Sequence, residues 1–105
     1  MAWALLSIAG ILEIAFALCM KWSEGFTRLI PGLFTVAAGL SSVFLLSLSL
    51  RTLPVGTGYA VWTGIGAVGT LTMGVLLFGE TLSPMKIAGI VLVISGIVAL
   101  KLAAA

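Results

Sequence analysis

From Leu29 to Leu50 the chain carries no charged side chain, and from Gly56 to Phe78 it again carries none. A helix needs about 20 mostly apolar residues to cross the hydrocarbon core of a bilayer, and both stretches reach that length. Another stretch, Ala2 to Met20, is interrupted only by Glu13 before Lys21, Ser23 and Glu24 end it. The last opens with Ser83 as an N-cap and Pro84 at the first helical position, where a missing N–H costs nothing. It runs to about Leu102. The pattern predicts an all-α integral membrane protein of four transmembrane helices, a single transmembrane domain over 1–105 with spans at about 2–20, 29–50, 56–78 and 84–102. Composition agrees: 62% of the 105 residues are hydrophobic and 8% charged, where a soluble domain carries roughly 25% charged residues. Lipid is the solvent this chain is built for.

The connections left over, about 21–28, 51–55 and 79–83, are too short to hold a further domain. Four spans put both ends on one side of the membrane. Lys21, Arg28 and Lys86 then face one side, with Arg51, Lys101 and the terminal amine on the other. Orientation follows the lysine and arginine excess, and here there is almost none, so insertion in both directions is expected. Trp3, Trp22 and Phe26 fall near the interfaces as aromatic anchors, and Lys86 and Lys101 lie where long side chains snorkel to the headgroups. A cleaved signal peptide is not expected, because Met1 to Trp3 lack a positive start and Glu13 sits inside the apolar run.

Several functions drop out. There is no histidine, and Cys19 is the one cysteine, so the commonest general base and metal ligand are missing and no disulfide forms within the chain. No metal, no cofactor and no enzymatic activity are expected. A net charge of +2 from few charges of either sign leaves no footprint for nucleic acid.

Glu13 is what remains. A charge at the bilayer centre costs roughly 2.5–3.5 kcal/mol on insertion scales, and acids placed there mark ion and substrate paths. Low dielectric penalises the anion, so such a group holds a proton until a cation arrives, as a proton/cation exchanger requires. The plainer alternative is a permanently protonated side chain that glues helices together by hydrogen bonding. Ala9, Gly10, Phe16 and Ala17 share the face of Glu13 by helical spacing; the small residues admit a neighbouring helix and Phe16 supplies an aromatic wall. In the third span Tyr59 and Trp62 stand one turn apart, with Thr63 beside them. Aromatic faces attract desolvated cations, and the phenol and indole can also donate to a carboxylate. Gly64 and Gly66 mark a candidate bend in that span. Gly89 and Gly96, seven apart with Leu92 and Val93 between them, form a small-residue face suited to close helix contact. Four helices are too few to enclose a pathway, so oligomerisation is expected, and in a dimer two Glu13 carboxyls would titrate as a coupled pair.

These residues carry a resemblance. Glu13 in the first helix, the loop Lys21-Trp22-Ser23-Glu24-Gly25-Phe26-Thr27-Arg28, the segment from Leu53 through Tyr59 and Trp62 to Gly66, and Gly89 to Gly96 together resemble the small multidrug resistance family of bacterial transporters. The resemblance implies an antiparallel homodimer in the bacterial inner membrane, in which both Glu13 residues exchange protons for small organic cations. It implies that Tyr59 and Trp62 are binding-site aromatics, that Ser42 is a polar site residue of the guanidinium-exporting branch, that Gly64 to Gly66 is a bend, and that Gly89, Leu92, Val93 and Gly96 lie on the dimerisation helix. The run from Leu53 to Gly69 and Lys101 look like the guanidinium branch. Phe16 stands where that branch usually has tryptophan, and Met20-Lys21 with Ser23 to Arg28 resembles the quaternary-ammonium exporters. The mixture implies a proton-coupled antiporter for guanidinium ions, substituted guanidinium ions and quaternary ammonium compounds; a selective guanidinium exporter is the narrower alternative. From other classes, a non-transporting subunit of a membrane complex and a proton-carrying rotor subunit also place one acid in a helix.

Overall fold

A computed structural model describes residues 1–104. Helix α1 spans Ala2–Trp22, α2 Leu29–Ser49, α3 Val55–Phe78 and α4 Pro84–Ala104, and there is no strand among the described residues. At 1.5 Å per residue the 21-residue helices are about 31 Å long, which matches a hydrocarbon core of roughly 30 Å. All four are apolar enough to cross a membrane.

The helix ends follow backbone bonding rather than apolarity. α1 continues past Met20 through Lys21 and Trp22, residues that suit the headgroup layer. It stops at Ser23, whose N–H donates to the Cys19 carbonyl. Glu24, Gly25 and Phe26 then take left-handed φ values of 50°, 74° and 66°. That conformation is costly for residues with a Cβ. Buried Ser23 offsets it: its Oγ donates to the Met20 carbonyl at 2.7 Å and accepts the Phe26 N–H at 3.1 Å. Its carbonyl accepts the N–H groups of Thr27 and Arg28. An exposed Arg28–Glu24 pair, 3.4 Å apart, closes the loop. At the start of α4, Ser83 Oγ accepts the Lys86 N–H at 3.2 Å, the N-cap the sequence predicts.

α1 packs against both α2 and α3, while the α4 backbone runs close to that of α3 alone. The core, Leu6, Ala9, Leu46 and Val61, gathers where α1, α2 and α3 meet, with Trp3, Trp62 and Ile65 packed around it. More than half of the other large apolar side chains are exposed. In water that would be untenable; in lipid it costs nothing. Lys101 Nζ stands 5.4 Å from the centre of the Trp3 ring, so the end of α4 and the start of α1 lie on the same side.

Candidate functional site

Glu13 sits partway along α1, half-buried, with its stem pressed against α3. A Cβ built on Gly66 would stand 2.7 Å from Glu13 Cγ, so the absence of a side chain at Gly66 is what lets the acid lie flat along that helix. Beside it opens a cavity of about 540 Å³, walled by Ala17 from α1 and by Tyr59, Trp62, Thr63 and Thr70 from α3. The Tyr59 and Trp62 rings are 5.5 Å apart and tilted by 53°, as residues one helical turn apart can be. Among the described residues no lysine or arginine comes within ion-pair distance of Glu13. A carboxyl group without a counter-cation, lining one cavity with two aromatic rings, has the chemistry to hold a small organic cation by charge and by ring faces.

Ser42 ties this arrangement together. The hydroxyl is fully buried on α2, donates to the Ala9 carbonyl at 2.7 Å, and accepts the Trp62 Nε1–H at 2.9 Å. Three helices meet in one side chain, one turn from Glu13. On its other flank a second, apolar cavity of about 440 Å³ is lined by Phe16, Val36, Gly39, Leu40 and Val43. Glu13 and Trp62 line both cavities and so stand between them.

Residues 1–93 match the family model described as Small Multidrug Resistance protein. The chain belongs to that family. A Citrobacter freundii protein named guanidinium exporter is 52% identical over 97% of this chain and 97% of its own length. A Yersinia pestis protein of the same name is 52% identical over 98% of this chain and 99% of its own. A third, from Salmonella typhimurium strain LT2, is 49% identical over 99% of both. This small multidrug resistance protein is accordingly a transporter rather than an enzyme, and a multi-pass protein of the bacterial inner membrane.

Other residues singled out in the sequence have varied places in this family member. Glu13, Tyr59, Trp62 and Ser42 come together, and Phe16 joins them only through the apolar cavity, where it packs on Gly39. Gly10 lines neither cavity; it is buried against the Ile65 side chain, where it brings α1 and α3 together. Gly64 packs against Ile97 and Val93 of α4, and α3 runs as helix through Gly64 and Gly66. Val93 therefore faces α3 of its own chain, whereas Gly89 and Gly96 have nothing within 4 Å of an added Cβ and Leu92 is 73% exposed. Among the cavity residues that escaped the sequence reading, Thr70 on α3 is one and the acid Glu80, after α3, is another; Glu80 lines the larger cavity with Glu13. Its signal is the preceding Gly79, a helix-ending residue that turns the chain back.

Proposed function

We propose that this chain is a proton-coupled antiporter that exports guanidinium-type cations and hydrophobic ammonium ions, working as an antiparallel homodimer. The observation that carries this reading is Glu13, an acid without a counter-cation in a cavity walled by Tyr59 and Trp62. The guanidinium exporters to which it is similar along nearly their whole length support the substrate class. The near balance of lysine and arginine between the two sides supports dual insertion.

The cycle is a competition for one carboxyl on each subunit. Protons taken up from outside neutralise the Glu13 pair and allow it to turn inward. A cation inside displaces them, is held by carboxylate and ring faces, and leaves where protons are abundant. Each net charge moved across 100 mV adds about 2.3 kcal/mol to the drive. The apolar cavity beside Glu13, with Phe16, Leu40 and Val43, favours the broader substrate range, because it offers room for alkyl or aryl substituents while the charged head stays at the acid.

The test is electrical recording from proteoliposomes that hold the purified protein. Guanidinium, phenylguanidinium and a tetraalkylammonium ion are each expected to give saturating currents. Lowering the pH should weaken each cation's apparent affinity by up to about tenfold per pH unit for every proton displaced. Glu13→Gln keeps the shape and removes the exchangeable proton, so all coupled currents should vanish. Currents from guanidinium alone would restrict the exporter to that ion, and no current from any cation would favour a non-transporting subunit.

A further inference from the structure

The chain has three acidic residues. Glu24 is paired with Arg28; the other two, Glu13 and Glu80, line the same cavity. Neither has a lysine or arginine within ion-pair distance among the described residues. Lys86, the nearest cation in sequence to Glu80, instead donates from Nζ to the Thr81 carbonyl at 2.6 Å. Two uncompensated carboxyls on one cavity are what a path for cations requires, and the backbone has to be shaped to bring the second one there.

That shaping is visible at the end of α3. Gly79 takes φ +67° and ψ 24°, and its N–H donates to the Gly74 carbonyl. The Glu80 N–H donates to the same carbonyl at 3.3 Å. A left-handed residue after a helix folds the chain back over the last turn, and here it carries Glu80 back along α3. The carboxyl group comes to rest on Gly74, where an added Cβ would stand 2.6 Å from Oε2 and 2.9 Å from Cδ. Gly79 thus supplies the turn and Gly74 the bare backbone on which the acid lies. On α3, Gly66 marks the level of Glu13 and Gly74 that of Glu80. Eight residues at 1.5 Å each separate these levels by about 12 Å, too far for one small cation to touch both acids. They are successive stops, one deep in the span and one at the rim beside the 79–83 connection.

We propose that Glu80 is a second cation-recognition residue of the transport pathway. It concentrates small organic cations at the rim of the cavity and passes them to Glu13. The inference rests on the export reading of the Glu13 site and assigns to Glu80 the rate of capture, leaving proton exchange to Glu13. An exposed charge acts on encounter with a charged ligand, and salt screens that action. Glu80→Gln is therefore expected to raise the guanidinium KM about threefold or more at an ionic strength near 0.01 M, where the screening length is roughly 30 Å. Maximal current should stay within about twofold of wild type, and the KM difference should close near 1 M, where screening falls to roughly 3 Å.

The experiment measures guanidinium-evoked currents in proteoliposomes for wild type, Glu80→Gln, Glu80→Asp, Gly74→Ala and Glu13→Gln, with sodium chloride setting the ionic strength. Glu80→Asp retains the charge and should recover most of the low-salt KM. Gly74→Ala retains the charge and only displaces it, so its low-salt KM should stay closer to that of wild type than the KM of Glu80→Gln does. If wild type and Glu80→Gln share one KM at low salt while Glu13→Gln is silent, the rim assignment is overturned and the export reading stands. A fall in maximal current at constant KM would likewise overturn it, since it would mark a structural role. If wild type gives no current that depends on Glu13, the export reading itself fails and takes this inference with it.

Discussion

Ser42 has a single proton to give and gives it to the Ala9 carbonyl, while the Trp62 indole N–H donates to its oxygen. The aim of the Trp62 ring thus depends on a hydroxyl on another helix. Ser42→Ala leaves the indole N–H without its acceptor, and an unmet buried donor costs about 1–3 kcal/mol. The ring will turn to find another, and the KM for guanidinium is expected to rise by about tenfold. Trp62→Phe breaks the same hydrogen bond from the other end, so the double variant should be little worse than the worse single one. Currents from the four proteins of this double-mutant cycle check the coupling; strictly additive losses would mean that Ser42 acts on the cation independently of Trp62. At this scale the sequence is informative where spacing alone decides. Tyr59 and Trp62 are one turn apart whatever the tertiary structure, and Glu13 is the lone acid within a span. It is silent where two apolar surroundings look alike. Gly10 on the face of Glu13 can border a cavity or a helix, and nothing in its neighbours tells which; in the fold it meets Ile65. Glu80 is hidden for another reason, because its place depends on a backbone turn and not on periodicity.

Helices as elements are written plainly in the charge-free stretches, because a bilayer admits backbone only with its hydrogen bonds made internally. Their ends shift by a residue or two from the apolar limits, since apolarity marks the edge of the hydrocarbon and bonding marks the end of the helix. How α1 and α3 fit together is less legible. The abundance of glycine in α3 signals close contact, yet which glycine meets which helix depends on rotation about the axis. Gly66 is the contact that matters for the site. A methyl group there would meet Glu13 at Cγ and Cβ, 2.7 and 3.4 Å away. These are stem atoms, so either the acid changes rotamer or the two helices move apart. Displacements of about 1 Å at a reacting group cost up to a hundredfold, and Gly66→Ala is expected to lower transport by about tenfold or more. Helix content by circular dichroism should remain that of wild type. Gly56→Ala is the control, for nothing lies within 4 Å of its added Cβ, and it should transport normally. Full activity in Gly66→Ala would show slack between α1 and α3 and would free the pose of Glu13 from that contact.

At the scale of the whole molecule, α4 is the least covered of the four helices. None of its membrane-crossing window is buried within the chain, and its backbone lies close to that of α3 alone. Apolarity by itself calls for no partner, because lipid tails are as apolar as leucine. The small residues are a better guide. Gly89 and Gly96 lie open, with no neighbour within 4 Å of an added Cβ, and their spacing places them on one face two turns apart. Lipid gains nothing from such a notch, whereas a second helix can approach its backbone closely and gain dispersion contacts along its length. The cavity points the same way, since Glu13, Tyr59 and Trp62 border a space that one chain leaves open on a side. If two copies meet along α4, Gly89→Leu with Gly96→Leu should cost the isolated chain little, because the added side chains enter open space, while the dimer loses its closest approach. We expect the dimer fraction, read by energy transfer between labelled subunits in bilayers at fixed protein-to-lipid ratio, to fall by about tenfold or more, which corresponds to some 1.4 kcal/mol or more of lost association. Cation-evoked current should fall in parallel and helix content should not. An unchanged dimer fraction would remove α4 from the proposed interface and turn attention to the cavity edge along α1 and α3.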